Sequence, residues 1–217
     1  MKTFIETNIS SINRITDPDG SRLYQTPSGN YPSVTTVTSI LSNDAINAWK
    51  ERVGKEESDR ISKQASRRGT EIHELCEQYL KSEPYKVDMF NQSMFSSLIP
   101  CLDNIDNIYC LETPLYSTKM RVAGTVDCIA EYNGVLSVID FKTSKRRKSE
   151  SDIPGYFMQC AAYAQCFLEL TGVAIKDTYI IMGVDDDDDP VIFHQPVDIW
   201  LKEFKKLRLE FYLINTI

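Results

Sequence analysis

Two aspartates and a lysine stand where β-strand chemistry makes them costly. In the segment 124–142, GTVDCIAEYNGVLSVIDFK, Asp127 and Asp140 fall on either side of Asn133-Gly134, a dipeptide that favours a two-residue hairpin turn. Each acid therefore belongs to one strand of a hairpin. Acids are depleted from strand interiors because a buried carboxylate is expensive unless it is paired or binds a metal. Lys142 follows Asp140 by two residues, so the pleat puts both side chains on one sheet face. Val138 and Leu136 share that face deeper in the core, which places the polar pair at the strand's end. Two carboxylates and a peptide carbonyl make a hard oxygen site suited to Mg²⁺ or Mn²⁺. A neighbouring lysine can orient water and offset charge on a phosphate. Taken alone, Asp140 and Lys142 read as an ion pair at a strand end.

Three further features add weight. His73, in RRGTEIHELCEQYL, lies on a helix beside an apolar stripe, where a lone histidine reads as a core or surface residue. Arg67, Arg68, Gly69 and Thr70 precede it by one turn. Glycine costs roughly 1 kcal/mol relative to Ala inside a helix, and a close backbone approach would explain Gly69. Gln159 and Tyr163, in QCAAYAQC, are four apart and share a helical face on the helix that follows the Asp140 strand. Small Cys160, Ala161 and Ala162 let that helix pack closely on the sheet. Lastly, the loop 142–148, KTSKRRK, holds five bases in seven residues. By itself that is a solvated charge run; beside the acids it becomes a phosphate track for nucleic acid.

The elements that must position these residues follow from periodicity. Residues 21–32 predict a hairpin turning at Pro27 to Asn30, and Ser33 caps a short helix to about Leu41. Asn43 or Asp44 caps another containing Trp49. A long helix runs from about Lys55 to Lys81 with Ile61, Ala65, Ile72, Cys76 and Tyr79 as its apolar stripe. Residues 88–106 suggest a further helix. Strands are expected at 108–116, 121–132 and 135–142. Pro154 opens a helix that Gly172 ends after about Leu170. Strands at 176–184 and 190–195 flank the run Asp185 to Asp189. A final helix over 197–212 turns Trp200, Phe204, Leu207 and Phe211 inward. The expected fold is an α/β core, about 107–217, with a hairpin and helical half, about 1–106, in one domain.

Composition narrows the classes. The chain has 217 residues, 42% hydrophobic and 25% charged, with aromatics enough for a sizeable core. No apolar run approaches the roughly 18 residues of a membrane span. The N-terminus lacks an apolar signal core, and Glu6, Asp17 and Asp19 argue against a transit peptide, so a cytoplasmic location is expected. The net charge of −7 disfavours a nonspecific DNA-coating protein. An enzyme that holds phosphate locally remains compatible. Six cysteines stand without CxxC pairs, which argues against a zinc ribbon and for buried free thiols. The run Asp185 to Asp189 lacks the spaced ligands, glycine and distal Glu of a calcium loop and reads as a solvated turn. His194 reads as an ordinary strand-end residue.

Taken in order, RGTxxH, GTVD, DFKTS and QxxxY resemble the RecB-type branch of the PD-(D/E)XK nuclease superfamily, from about Tyr31 to the last helix. YPSVTTVTSIL, the VDCIAEYNGVLSVIDFKTS hairpin and the QCAAYA helix are similar to the family of mitochondrial genome maintenance exonucleases and small phage-encoded relatives. The resemblance implies a restriction-endonuclease-like core, a central mixed sheet flanked by helices. It implies that His73, Asp127, Asp140 and the Phe141 carbonyl hold Mg²⁺, with Mn²⁺ able to substitute, and that Lys142 is the catalytic lysine. Gln159 and Tyr163 would border the site and contact DNA or support the lysine. Glu112, in LETPLY, falls where relatives place an acid near the metal. Ser33 and Thr35 would reach phosphate, although capping suits Ser33 as well. Thr143 and Ser144 would donate to phosphates, and Arg67, Arg68 and the basic loop would hold the backbone. Some RecB-type nucleases carry an iron–sulfur cluster; with no Cys after Cys166, none is expected here.

The implied activity is metal-dependent hydrolysis of DNA. If the N-terminal helices arch over the site, a single strand threads and a duplex does not, which gives a single-strand exonuclease of replication, recombination or repair, from a phage or bacterium. Bases would stack on aromatics such as Tyr31 or Trp49. Two other readings stay open: a structure-specific or restriction-type endonuclease, and a silent nuclease fold that binds DNA or scaffolds partners.

Overall fold

The computed structural model describes residues 2–16, 22–185 and 187–215; Ser21 of the expected hairpin and Asp186 of the acidic run lie outside them. The central element is a five-stranded mixed sheet in the order β4 (Ile105–Ser117), β5 (Val122–Tyr132), β6 (Val135–Ser144), β7 (Asp177–Val184), β8 (Val191–Pro196). Only β6 and β7 are parallel, and α5 (Pro154–Thr171) makes the crossover between them. Asn133 and Gly134 turn β5 into β6 with φ of 50° and 80°, the geometry that an Asn-Gly turn supplies.

Alternation along each strand sends side chains to two cores. Val138, Ile180 and Met182 face α5 and α6 (Val197–Ile214), where Phe157, Phe167, Phe204 and Leu207 complete one cluster. Ile139, Phe141 and Ile181 face α3 (Lys55–Lys81) and α4 (Gln92–Asp103), where Ile72, Cys76, Phe95 and Leu98 complete the other. The strands are apolar on both faces because helices cover both. All six cysteines are buried and unpaired. No helix among the described residues is long and apolar enough to cross a membrane.

A second sheet, β1 (Asn13–Thr16), β2 (Arg22–Thr26) and β3 (Gly29–Pro32), is antiparallel throughout. Tyr24 and Tyr31 anchor it on Ala123 of β5. Tyr31 is buried, so the base-stacking role expected of it gives way to packing. Strand β1 went unread in the sequence because NRIT carries no alternation of its own.

The largest departure from expectation lies between Leu41 and Glu71. α1 (Val34–Ser39) buries Val34 and Val37, but α2 (Asn43–Val53) buries nothing, and Ala65 is exposed rather than part of a stripe. No residue from 41 to 71 belongs to any of the three apolar clusters. Trp49 is half-buried rather than a core residue. The stripe on α3 begins only at Ile72, because the first half of the helix packs on α2 and not on the sheet.

Gly69 sits where α3 passes the end of β6. A Cβ there would meet only Thr143 Oγ1, at 3.9 Å, so sterics do not require the glycine. Gly69→Ala should therefore raise stability by about 1 kcal/mol, the helix-propensity difference. Urea denaturation reads this, and a loss of stability would mean the helix tolerates no methyl at this crossing.

Candidate active site

Strands β5 and β6 pair as far as Cys128 with Ile139 and then part. Beyond that point Asp127 takes over: its Oδ2 accepts the Phe141 backbone N–H at 2.9 Å. A carboxylate thus bonds a strand amide at the point where the ladder ends, which satisfies the amide and fixes the acid's orientation. Asp140 lies across the gap, 1% exposed. Its Oδ1 accepts from Gln159 Nε2 at 2.9 Å, and its Oδ2 stands 2.5 Å from Lys142 Nζ. That second contact is a close charge-assisted pair, and Oδ2 has no other partner, so this buried oxygen keeps acceptor capacity to spare.

A second group converges beside the first. The Nδ1 of His73 is 3.4 Å from Asp127 Oδ2 and 3.8 Å from Glu112 Oε1. One ligand atom from each of His73, Glu112 and Asp127 fits within 4.8 Å of the others. The Phe141 ring meets the His73 ring edge-on at 6.4 Å. Glu112 is held out of strand geometry at φ 47°, an unfavourable conformation for a non-glycine residue. Thr113 Oγ1 braces the kink by accepting from the Leu111 N–H and donating to its carbonyl. The sequence offered no sign of this kink, since LETPLY reads as an unbroken strand.

Electrostatics describe a seat for positive charge. Burial lowers the His73 pKa, but the Asp127 charge and a Glu112 hydrogen bond outweigh it and the net shift is upward. Burial raises the Asp140 carboxyl; Lys142 opposes this and Asp127 reinforces it. Burial would lower Lys142, but Asp140 and Asp127 reverse the sign and hold it firmly protonated. The donor set fits a divalent cation on two counts: the convergence of one imidazole and two carboxylates, and the spare oxygen of Asp140. A wider groove of about 570 Å³ between α5, α6 and the start of β7 contains none of these residues.

The remaining expected residues fall into place unevenly. Gln159 supports Asp140 rather than Lys142. Tyr163 is 2% exposed, too deep to touch substrate; its ring packs on Gly124, where a Cβ would meet its Oη at 2.7 Å. The glycine of GTVD and the tyrosine of QxxxY are thus two halves of one contact. Ser33 caps α1, its Oγ accepting from the Thr36 N–H at 2.9 Å and sharing a bond with Thr35 Oγ1. Both hydroxyls are engaged locally, and Ser33 is buried. Ser144 is buried and donates to the Arg146 carbonyl, while Thr143 is half-buried facing Gly69. Arg67 pairs with Glu71, and Arg68 with Asp185. Arg147 makes a two-pronged contact to Asp187, so the acidic turn is an ion-pairing element and not merely a solvated one. His194 pairs with Asp177 at 2.7 Å on β8.

Tyr156 belongs to none of the motifs in the sequence. It stands one turn before Gln159, and both Lys142 Nζ and Lys148 Nζ lie over its ring, at 5.1 and 5.4 Å. Cation–π contact of this kind holds an ammonium without spending its hydrogens. One turn of helix separating an aromatic from a Gln was the only available signal.

A family model described as PD-(D/E)XK nuclease superfamily matches residues 38–210, most of the chain. Mitochondrial genome maintenance exonuclease 1 of Mus musculus is 26% identical over 130 residues, and that of Homo sapiens 26% over 129. Each alignment covers 54% of this chain but only 38% of the relative. The Xenopus tropicalis protein of the same name is 40% identical over 53 residues, 24% of this chain and 15% of its own.

Two substitutions test the geometry. Gly124→Ala should destabilise the fold by about 1–3 kcal/mol, because Tyr163 has no room to retreat; an unchanged denaturation midpoint would show that the contact relaxes freely. Glu112→Gln should weaken Mn²⁺ binding by about tenfold or more, read as a smaller Mn²⁺-induced rise in melting temperature. An undiminished rise would remove Glu112 from the cation site.

Proposed function

Because the chain belongs to the PD-(D/E)XK nuclease superfamily, we propose that it is a Mg²⁺-dependent deoxyribonuclease, an exonuclease that digests single-stranded DNA from a free end in replication, recombination or repair. The observation that carries this reading is the convergence of His73, Glu112 and Asp127 beside the Asp140–Lys142 ion pair where β5 and β6 part. His73, Asp127 and Glu112 would hold the cation, with Asp140 and the Phe141 carbonyl as its further ligands on this reading. When bound, the cation supplies Lewis-acid polarisation of the scissile phosphate and activates water.

The protein's own part is positioning. Asp140, fixed by Gln159, holds Lys142 at the strand end with Tyr156 beneath it. The ammonium stays charged and orients the attacking water while offsetting charge that develops on the phosphate. Tyr163 and Gly124 keep α5 seated so that Gln159 cannot drift. Thr143, beside Gly69, is the hydroxyl best placed to donate to a phosphate oxygen.

Selectivity for one strand is supported by the path of residues 33–73. α1 ends at the start of α5, where Leu41 and Thr38 lie beside Gly155. α3 returns past Thr143, and its first turn approaches the basic loop closely enough for Lys145 to act on Glu57. On this reading the chain between, with no residue in any apolar cluster, arches over the loop that starts at Lys142, and such an arch would admit a single strand and obstruct a duplex. A restriction-type or structure-specific endonuclease is the second reading, and would need no free end.

End-labelled single-stranded and duplex oligonucleotides, with Mg²⁺ and then EDTA, test the activity. Linear single strands should be degraded, circular ones spared, and EDTA should stop both; cleavage of circles at the linear rate favours the endonuclease. Lys142→Ala should lower kcat by at least about a hundredfold. Lys142→Arg keeps the ion pair with Asp140 should the alanine variant fold poorly, and it should be slow as well, since a guanidinium fork does not reproduce an ammonium. Full activity in either variant would strip Lys142 of its role.

A further inference from the structure

Phe90 is the most exposed large apolar side chain described, 87% accessible, and Met89 beside it is 81%. Water-exposed aromatics of this kind are disfavoured by the hydrophobic effect and are ordinarily tucked away. Here the turn before α4 holds Phe90 outward: its N–H donates to Asp88 Oδ1 at 2.9 Å, and the Asn91 N–H donates to the Asp88 carbonyl. The ring borders a groove of about 430 Å³ between this turn and α3, within the size range of small-ligand sites. Arg67 and Arg68 line the same groove, with Gln64, Asn91 and the carboxylates of Glu71, Asp88 and Asp185.

This groove adjoins the candidate active site through α3. Arg68 precedes Gly69, which faces Thr143, and His73 follows one turn later. The two guanidiniums carry unequal commitments. Arg68 is held by Asp185 through Nη1, and its Nε is a buried donor with no partner. Arg67 pairs with Glu71 but is 75% exposed, an ion pair that water screens and a phosphate can displace at little cost. An aromatic face, an exposed guanidinium and the Gln64 side-chain amide in one groove are the components of a nucleotide site: a stacking platform, a phosphate contact and a polar group for a base edge.

We infer that the groove between α3 and the 88–91 turn is a subsite for one unpaired nucleotide of the strand bound at the active site. Phe90 stacks its base, and Arg67 takes its phosphate beside an Arg68 fixed by Asp185. The occupant is a nucleotide and not an apolar partner surface, because Phe90 is the one apolar residue of the described lining and the rest is charged or amide, Glu71 and Asp185 being already paired with Arg67 and Arg68. A base in a duplex has no free face to offer, so the subsite adds a second preference for single strands. The inference rests on the nuclease reading above.

The test is binding and turnover of a fluorescent single-stranded oligonucleotide, with Ca²⁺ for the binding step and Mg²⁺ for cleavage. Phe90→Ala should weaken binding by roughly five- to 150-fold, the range for loss of one stacked base, and raise KM with kcat nearly unchanged. Phe90→Trp should restore binding and add tryptophan fluorescence that the oligonucleotide quenches. Scanning a single abasic position along the strand gives a readout that mere misfolding would not move. At one position the wild type should lose affinity while Phe90→Ala loses nothing further. Binding within twofold of wild type in Phe90→Ala, or the absence of any such position, overturns the subsite and leaves the nuclease reading intact. A wild type that neither binds nor cleaves overturns both.

Discussion

A carboxylate that is 1% exposed is the constraint to which the rest of this molecule answers. An isolated buried charge costs several kcal/mol even after relaxation, and Asp140 sits among Val138, Ile180 and Met182. Three neighbours offset that cost. Gln159 donates to one oxygen, Lys142 supplies the opposite charge to the other, and α5 is long and well packed enough to hold the glutamine in place. The cost is only partly met, since Oδ2 keeps unspent acceptor capacity. A fold that selected stability alone would replace the pair with apolar side chains of similar volume. Retaining it makes sense where a cation or substrate completes the network.

The same logic explains the parting of β5 and β6. A ladder continued past Cys128 and Ile139 would press two carboxylates together across the sheet. Instead the strands diverge, Asp127 bonds the Phe141 amide, and the gap between them becomes the place where His73 and Glu112 arrive. Glu112 reaches it only through the strained backbone at φ 47°. Strain, a broken ladder and an under-satisfied carboxylate all occur within a few residues, and each would be a defect elsewhere.

Much of this was legible before any coordinates. The Asn-Gly turn, the D-x-K spacing and the QxxxY period placed the hairpin, the buried pair and the supporting helix, because each is a local rule that the tertiary structure had no reason to override. What stayed hidden is non-local. Tyr163 stands on α5, yet its work is against Gly124 on β5, so its depth in the core could not be read from helix period. Glu112 looked like any alternating strand residue, since backbone strain leaves no mark in composition. The acidic run 185–189 looked solvated because its partners, Arg68 and Arg147, lie far off in sequence.

Those partners bear on how a protein of net charge −7 holds a polyanion. The guanidiniums nearest the site are not free: Arg67, Arg68 and Arg147 each hold a carboxylate. A phosphate arriving there replaces an existing ion pair and gains only the difference between two anions. Binding energy from the basic groups is therefore modest, and little of it is available to DNA that merely brushes the surface. On the proposed reading, full affinity would require contacts that a carboxylate cannot imitate: a base face, a cation held by His73 and Asp127, and a single strand beneath residues 42–66. An acidic nuclease built this way would discriminate by what lies between the phosphates, and its net charge would work against loose association rather than against the reaction.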